Sequence, residues 1–232
     1  MNGKLIIYHG SNKVIEKPRF GYGNKRNDYG LGFYCTQSEE LAKEWACTED
    51  ESGYANKYSL NSNGLSVLDL SDGSYNILNW LAILLENRQF RTNSEIAVRA
   101  KEYILDNFLP SYKDFDIIKG YRADDSYFSF ASAFINSTIS LTQLEKAMML
   151  GGLGEQVVLK SKNAFSKLTF LGSEAAQKNV YYPKKLARDT TARKAYKQEK
   201  NRFSAENAVY VLDIIRGRWQ NDDPRIRRII LG

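Results

Sequence analysis

The sequence predicts an α+β fold. Short β-branched and aromatic runs bounded by turn residues read as strands, and longer segments with helical periodicity stand between them. A basic, helix-prone stretch closes the chain. At 232 residues the chain is long enough for one α/β or α+β domain, or for a compact domain with an extension. Its 12% aromatic content argues against disorder over the whole length.

Leu5-Ile6-Ile7-Tyr8-His9 reads as a first strand, ended by the turn formers Gly10-Ser11-Asn12. A glycine-rich loop leads to a second strand, Gly32-Phe33-Tyr34-Cys35-Thr36. Ser38 is a good N-cap for a helix over Glu39–Ala46, with Leu41, Ala42 and Trp45 as its buried stripe. Tyr54–Leu60 and Leu65–Leu70 read as a hairpin turning at Asn63-Gly64. Helical periodicity covers Ser74–Asn87 and Ser94–Phe108, a strand follows at Phe115–Gly120, and helices follow at Tyr127–Ile135 and Thr142–Leu150. After Gly151-Gly152-Leu153-Gly154 comes the strand Glu155–Lys160, then a last strand at Leu168–Leu171. Lys184–Arg202 and Ala205–Trp219 read as helices.

The longest apolar stretch, near Trp80–Leu85, is far short of the roughly 20 residues a bilayer requires, so no membrane partner is expected. The N-terminus meets a histidine too soon for a signal peptide. Cys35 and Cys47 form no metal-like pair, and a reduced, cytoplasmic setting is expected. Residues 178–232 hold 14 Lys/Arg against 6 Asp/Glu, a net of +8, which leaves −2 for the remainder. That asymmetry suits an acidic partner, nucleic acid or protein; the alternative is a solvated helix surface.

Three short features carry the chemistry. His9, the single histidine, ends the first strand and can hydrogen-bond a ligand hydroxyl, with Gly10 allowing close backbone approach; the alternative is a histidine satisfied by a carbonyl. Tyr34 follows Gly30-Leu31-Gly32 and can stack on a ligand ring, or can be a core tyrosine. Glu155-Gln156 leads into an apolar strand, and strand alternation turns the two side chains to opposite faces.

Together, Tyr8-His9-Gly10-Ser11, Gly30-Leu31-Gly32-Phe33-Tyr34 and Glu155-Gln156-Val157-Val158 resemble the three motifs of the His-Tyr-Glu branch of the ADP-ribosyltransferase superfamily. The resemblance covers roughly residues 4 to 172. It is closest to a bacterial family of such domains that includes candidate toxins of toxin–antitoxin pairs. It implies a split β-sandwich of two small sheets with peripheral helices. Residues 1–177 would be the NAD-binding domain, and 178–232 a basic helical extension packed on it.

What the resemblance implies for function is a mono-ADP-ribosyltransferase, a toxin of a toxin–antitoxin or defence module. NAD⁺ would be the co-substrate, and the acceptor would be a protein or nucleic acid, with a cognate antitoxin as a further partner; no metal is expected, because no His or Cys joins the carboxylates of Asp116, Asp124 and Asp125. His9 would hold hydroxyls of the nicotinamide-side ribose. Gly10, with Ser11 nearby, would bond the carboxamide, and Tyr34 would stack on the nicotinamide. Glu155 or Gln156 would steady the oxocarbenium-like transition state: the Glu-x-Ile-Val spacing selects Glu155, and the bacterial family's usual glutamine selects Gln156. Asp116, Asp124 and Asp125 are weaker candidates for a loop on the acceptor or adenosine side; the alternative is a turn with helix-capping acids. The rival functions are a catalytically weak NAD or ADP-ribose-binding module, and a nucleic-acid-binding protein working through its basic C-terminal region.

Overall fold

Residues Lys4–Ser11 form strand β1, and the next strand, β2, is Phe33–Cys35. The computed structural model describes residues 3–90, 92, 94–123, 125–149, 154–201 and 208–226. Helix α1 (Glu39–Ala46) follows, with the Ser38 side chain accepting a hydrogen bond from the Leu41 amide at 3.3 Å, as the cap predicts. Then come β3 (Gly53–Asn61), β4 (Val67–Asp69), α2 (Ile77–Asn87), α3 (Glu95–Phe108), β5 (Ile117–Tyr121), α4 (Asp125–Ile135), α5 (Leu141–Met149) and β6 (Glu155–Leu159). The chain continues through α6 (Lys162–Ser166), β7 (Leu168–Ala176), α7 (Lys178–Asn201) and α8 (Val211–Arg216). The fold is mixed α+β. Among the described residues no helix is long and apolar enough to cross a membrane.

The strands form two sheets, β1-β3-β7 and β2-β6-β5-β4. The first is antiparallel throughout; in the second, β4 runs parallel to β5 while the other pairs are antiparallel. Ile7, Tyr58 and Leu60 of the first sheet and Phe33, Cys35, Ile117, Val157 and Leu159 of the second share one apolar core. This explains the alternation: each of these residues sits two apart from another core residue on its strand or opposite one on the neighbouring strand.

The chain divides into two compact units. One comprises residues 1–69, 112–122 and 153–189, and holds both sheets with α1 and α6. The other comprises 70–111, 123–152 and 190–232 and is helical. In this second unit, buried Asn79 donates to the Phe108 carbonyl at 2.8 Å and Phe130 stacks on Tyr196 at 4.0 Å. The helices inserted between β4 and β5 and between β5 and β6 pack among themselves, α2 on α3 and α4 on α5.

Several local expectations change. The Tyr54–Leu60/Leu65–Leu70 hairpin does not form: β3 has β1 on one edge and β7 on the other, so β4 crosses to the second sheet. Gly10 and Ser11 stay in β1 because Ala55 and Tyr54 of β3 continue the ladder. Trp45 is half-buried, and Glu44 takes its place inside at 3% exposure. The last strand runs on to Ala176, α6 was not expected, and the helix expected over Ala205–Trp219 is confined within the described residues to Val211–Arg216.

The buried Glu44 is tied to α7 by a two-pronged pair with Arg188, at 2.9 and 3.0 Å. Lys184 likewise bonds Glu40 at 3.0 Å, and Lys185 donates to the Cys47 carbonyl at 3.4 Å. Part of the C-terminal positive charge is thus used inside the first unit. Arg188→Ala should destabilise the protein by about 3 kcal/mol, because it strands a buried carboxylate, and adding Glu44→Gln should recover much of that loss. Urea unfolding of the two variants checks this; equal stability of Arg188→Ala and wild type would refute it.

Candidate active site

The three motifs lie on β1, β2 and β6. β1 and β2 touch through an isolated bridge in which Tyr8 and Thr36 exchange two backbone hydrogen bonds, at 2.7 and 2.9 Å. Beyond it the strands part. Residues two apart on a strand send their N–H and C=O to the same edge, so Gly10 aims a donor and an acceptor into the gap opposite Tyr34. The other side of Gly10 is closed by α1: a Cβ there would collide with the Ala42 carbonyl and stand 2.8 Å from the Ala46 amide.

At the same fork the His9 ring takes over from the ladder. Nδ1 lies 2.7 Å from the Tyr34 carbonyl, and since a carbonyl only accepts, this nitrogen carries the proton and leaves Nε2 as the ring's acceptor. The ring stacks on Phe33 at 4.3 Å. Burial holds the imidazole below its ordinary pKa of 6.5, offset in part by the bond to Tyr34. The carbonyl-satisfied reading of His9 is therefore met at one nitrogen.

The Tyr34 side chain lies on the sheet face opposite Phe33. Its hydroxyl donates to the Gly30 carbonyl at 2.6 Å and accepts from the Tyr29 amide at 3.0 Å, which shapes the glycine loop; Gly30 has φ of 73°. A residue that sequence reading passed over completes this clamp. Lys160, just past β6, donates to the Tyr29 carbonyl and, at 2.7 Å, to that of Leu31.

On β6, register decides what each polar residue meets. Val158 pairs with Tyr34 and Val157 with Cys35, so Gln156 shares Tyr34's face and Glu155 shares that of the core. Gln156 is 5% exposed and its Oε1 has no hydrogen-bond partner. Glu155 is ion-paired to Lys119 at 3.0 Å, and Lys119 also reaches Asp69 at 3.3 Å. A second buried group without a partner, the indole N–H of Trp45, lies on α1, and the Arg122 guanidinium sits 4.4 Å from that ring's centre. The fork thus joins Gly10, Tyr34 and Gln156, while His9 reaches it from the opposite face.

Asp116 accepts from the Ser66 amide and hydroxyl, at 2.9 and 3.1 Å, and from the Ser161 hydroxyl; burial pushes its carboxyl up, and these bonds outweigh it and hold the group below the usual range. Asp124 and the Asp125 side chain lie outside the described residues, as does Arg202. Ser11 accepts from the Lys13 amide at 3.2 Å. Among the described residues no cluster of three or more His, Cys, Asp or Glu could hold a metal ion.

Residues 5–170 match the model of a family described as "Protein of unknown function (DUF3990)". The chain belongs to the DUF3990 family. The matched segment starts in β1 and ends in β7, so all three motifs fall inside it and α7 and α8 fall outside. No curated protein and no solved structure matches the chain.

Burial lowers the Lys160 ammonium to about 8 from its ordinary 10.5. Between those values the unfolded chain holds a proton that the folded one has released, so this group's contribution to stability rises with pH there. The gap in unfolding free energy between wild type and Lys160→Met should therefore shift in favour of wild type from about pH 7.5 to about pH 10. Parallel pH profiles for the two proteins would show that the amine is not held in this way.

Proposed function

We propose that this DUF3990 chain is a mono-ADP-ribosyltransferase that cleaves the nicotinamide–ribose bond of NAD⁺. One observation carries the reading: the unladdered Gly10 edge, beside Tyr34 and Gln156 at the β1–β2 fork. A primary carboxamide needs one donor for its oxygen and one acceptor for its N–H, and Gly10 offers that pair on adjacent backbone atoms. Buried Gln156 Oε1 accepts a further hydrogen bond, as from a ribose hydroxyl; leaving such an atom unpaired costs about 1–3 kcal/mol, so the site gains by filling it.

In the reaction the C1′–N1 bond breaks and its electron pair leaves with neutral nicotinamide. The oxocarbenium-like ribose is then attacked by an acceptor nucleophile, which loses its proton. His9 Nε2 accepts from a ribose hydroxyl, and Tyr34, with its hydroxyl fixed by Gly30, offers its ring to the nicotinamide. The resemblance to toxin-type domains makes a toxin, restrained by an antitoxin, the physiological role that fits this proposal. One observation favours a second reading, a catalytically weak NAD or ADP-ribose-binding module. The residue on Tyr34's face is a neutral glutamine, while the neighbouring carboxylate is neutralised by Lys119.

Nicotinamide release measured on purified variants separates these. Gln156→Ala should lower the rate about 10²-fold, and Glu155→Ala should act chiefly on stability. His9→Ala should abolish release. Because His9 must be neutral to accept at Nε2, and burial lowers its pKa, wild-type turnover should stay level down through pH 6.5 and fall only on the acid side of that lowered pKa. NAD⁺ binding without measurable nicotinamide release would support the binding-module reading, and no NAD⁺ binding at all would exclude both.

A further inference from the structure

A second feature of the sheet-bearing unit borders the second motif, since Phe165 in its wall stands 5.9 Å from the Phe33 ring. A cavity of about 470 Å³ opens between the loop after β1 and the α6–β7 segment, lined by Glu16, Lys17, Phe20, Lys162, Phe165 and Phe170 among others. Phe20 and Phe165 meet edge to face at 5.6 Å, and the Lys162 ammonium stands 6.0 Å from the Phe20 ring centre. The volume falls within the roughly 300–1,000 Å³ of small-ligand sites.

The rim has an unusual composition. From Asn12 to Asp28 the chain carries five Lys/Arg against two Asp/Glu. Within it Phe20 is 46% and Tyr22 81% exposed, interleaved with exposed Lys17, Arg19 and Lys25. The loop's start is anchored, since buried Asn56 accepts from the Ile15 amide at 2.8 Å and Tyr58 donates to the Ile15 carbonyl at 2.5 Å. Its aromatics are thus presented from a fixed base, not from a slack tether.

Exposed flat rings and cations together select the ligand. An acidic peptide would use the cations but leave the ring faces wet. A nucleic-acid duplex would offer phosphates but hide its base faces in the stack. A single strand offers both, since each base has a face to stack and each phosphate a charge to neutralise. We propose that this groove and its rim bind single-stranded nucleic acid, with one base against Phe20 in the groove, a neighbouring base against Tyr22, and phosphates on Lys17, Lys162 and Arg19. Binding uses none of the residues at the β1–β2 fork and does not depend on the transferase reading.

The test is fluorescence anisotropy of the full chain with a labelled 12-nucleotide single strand, an abasic strand of equal length, the matching duplex, and AMP as competitor. The single strand should bind best. Loss of the bases, or Phe20→Ala, should each weaken binding about tenfold, in line with alanine substitutions at stacked bases. Three neutralised phosphates predict a loss of about 20-fold between roughly 50 and 200 mM salt. Lys162→Glu should weaken binding, whereas Lys194→Glu/Lys197→Glu on α7 should not. Equal affinity for the abasic strand, or an unaltered Phe20→Ala, would overturn the proposal. So would AMP displacing the strand at equal concentration with little salt effect, which would make the groove a small-molecule site. Loss of binding on α7 substitution alone would move the strand to the C-terminal helix. Nicotinamide release by Phe20→Ala without nucleic acid, which should equal that of wild type, reads the transferase proposal separately.

Discussion

Two backbone hydrogen bonds between Tyr8 and Thr36 hold β1 and β2 together at one point and let them separate at the next. Both strands must also serve the core, where Ile7 from one sheet meets Phe33 and Cys35 from the other. A continuous ladder would carry the pairing on past the fork. Because it stops after one bridge, the main chain of Gly10 is turned toward an open edge, and the Tyr34 carbonyl takes its hydrogen bond from the His9 ring. The candidate site is therefore a consequence of how one small sandwich is closed, with a side chain satisfying a backbone group that the ladder has left.

Small residues and one buried charge organise the other side of the fork. Gly10 lets α1 approach until Ala42 and Ala46 lie against the strand backbone. Close packing turns Glu44 inward, and a carboxylate so buried requires a cation, which Arg188 provides from α7. The basic character of the C-terminal region thus has in part an internal cause. The loop after β1 sets the exposed rings of Phe20 and Tyr22 among exposed Lys17, Arg19 and Lys25.

Much of the candidate site is legible in the sequence. His9, Gly10 and Tyr34 stand at strand ends next to glycine, and strand alternation already required Glu155 and Gln156 to part company. Which of the two shares a face with Tyr34 depended on the register of β6 against β2, a long-range pairing that no local pattern encodes. Lys160 could not have been singled out, and Trp45 was legible only as part of a helix's buried stripe. A lysine after a strand and a tryptophan on an amphipathic helix are ordinary in sequence, and they gain meaning from the carbonyls of Tyr29 and Leu31 and from the buried indole N–H.

By itself the sequence determined the local elements: the Ser38-capped helix, the helices up to Phe108, and the apolar strands whose residues alternate between faces. These follow from caps, periodicity and β-branching, which act within a few residues. Tertiary structure decided the partners. Asn63-Gly64 is a sound hairpin turn, yet β3 already had neighbours on both edges, so the chain crossed to the other sheet. The charged C-terminal stretch is a sound helix, yet its arginine at 188 is drawn to a carboxylate 144 residues away. In each case the local signal gave a conformation, and competition among distant segments for the same edge or the same buried charge chose what that conformation would meet.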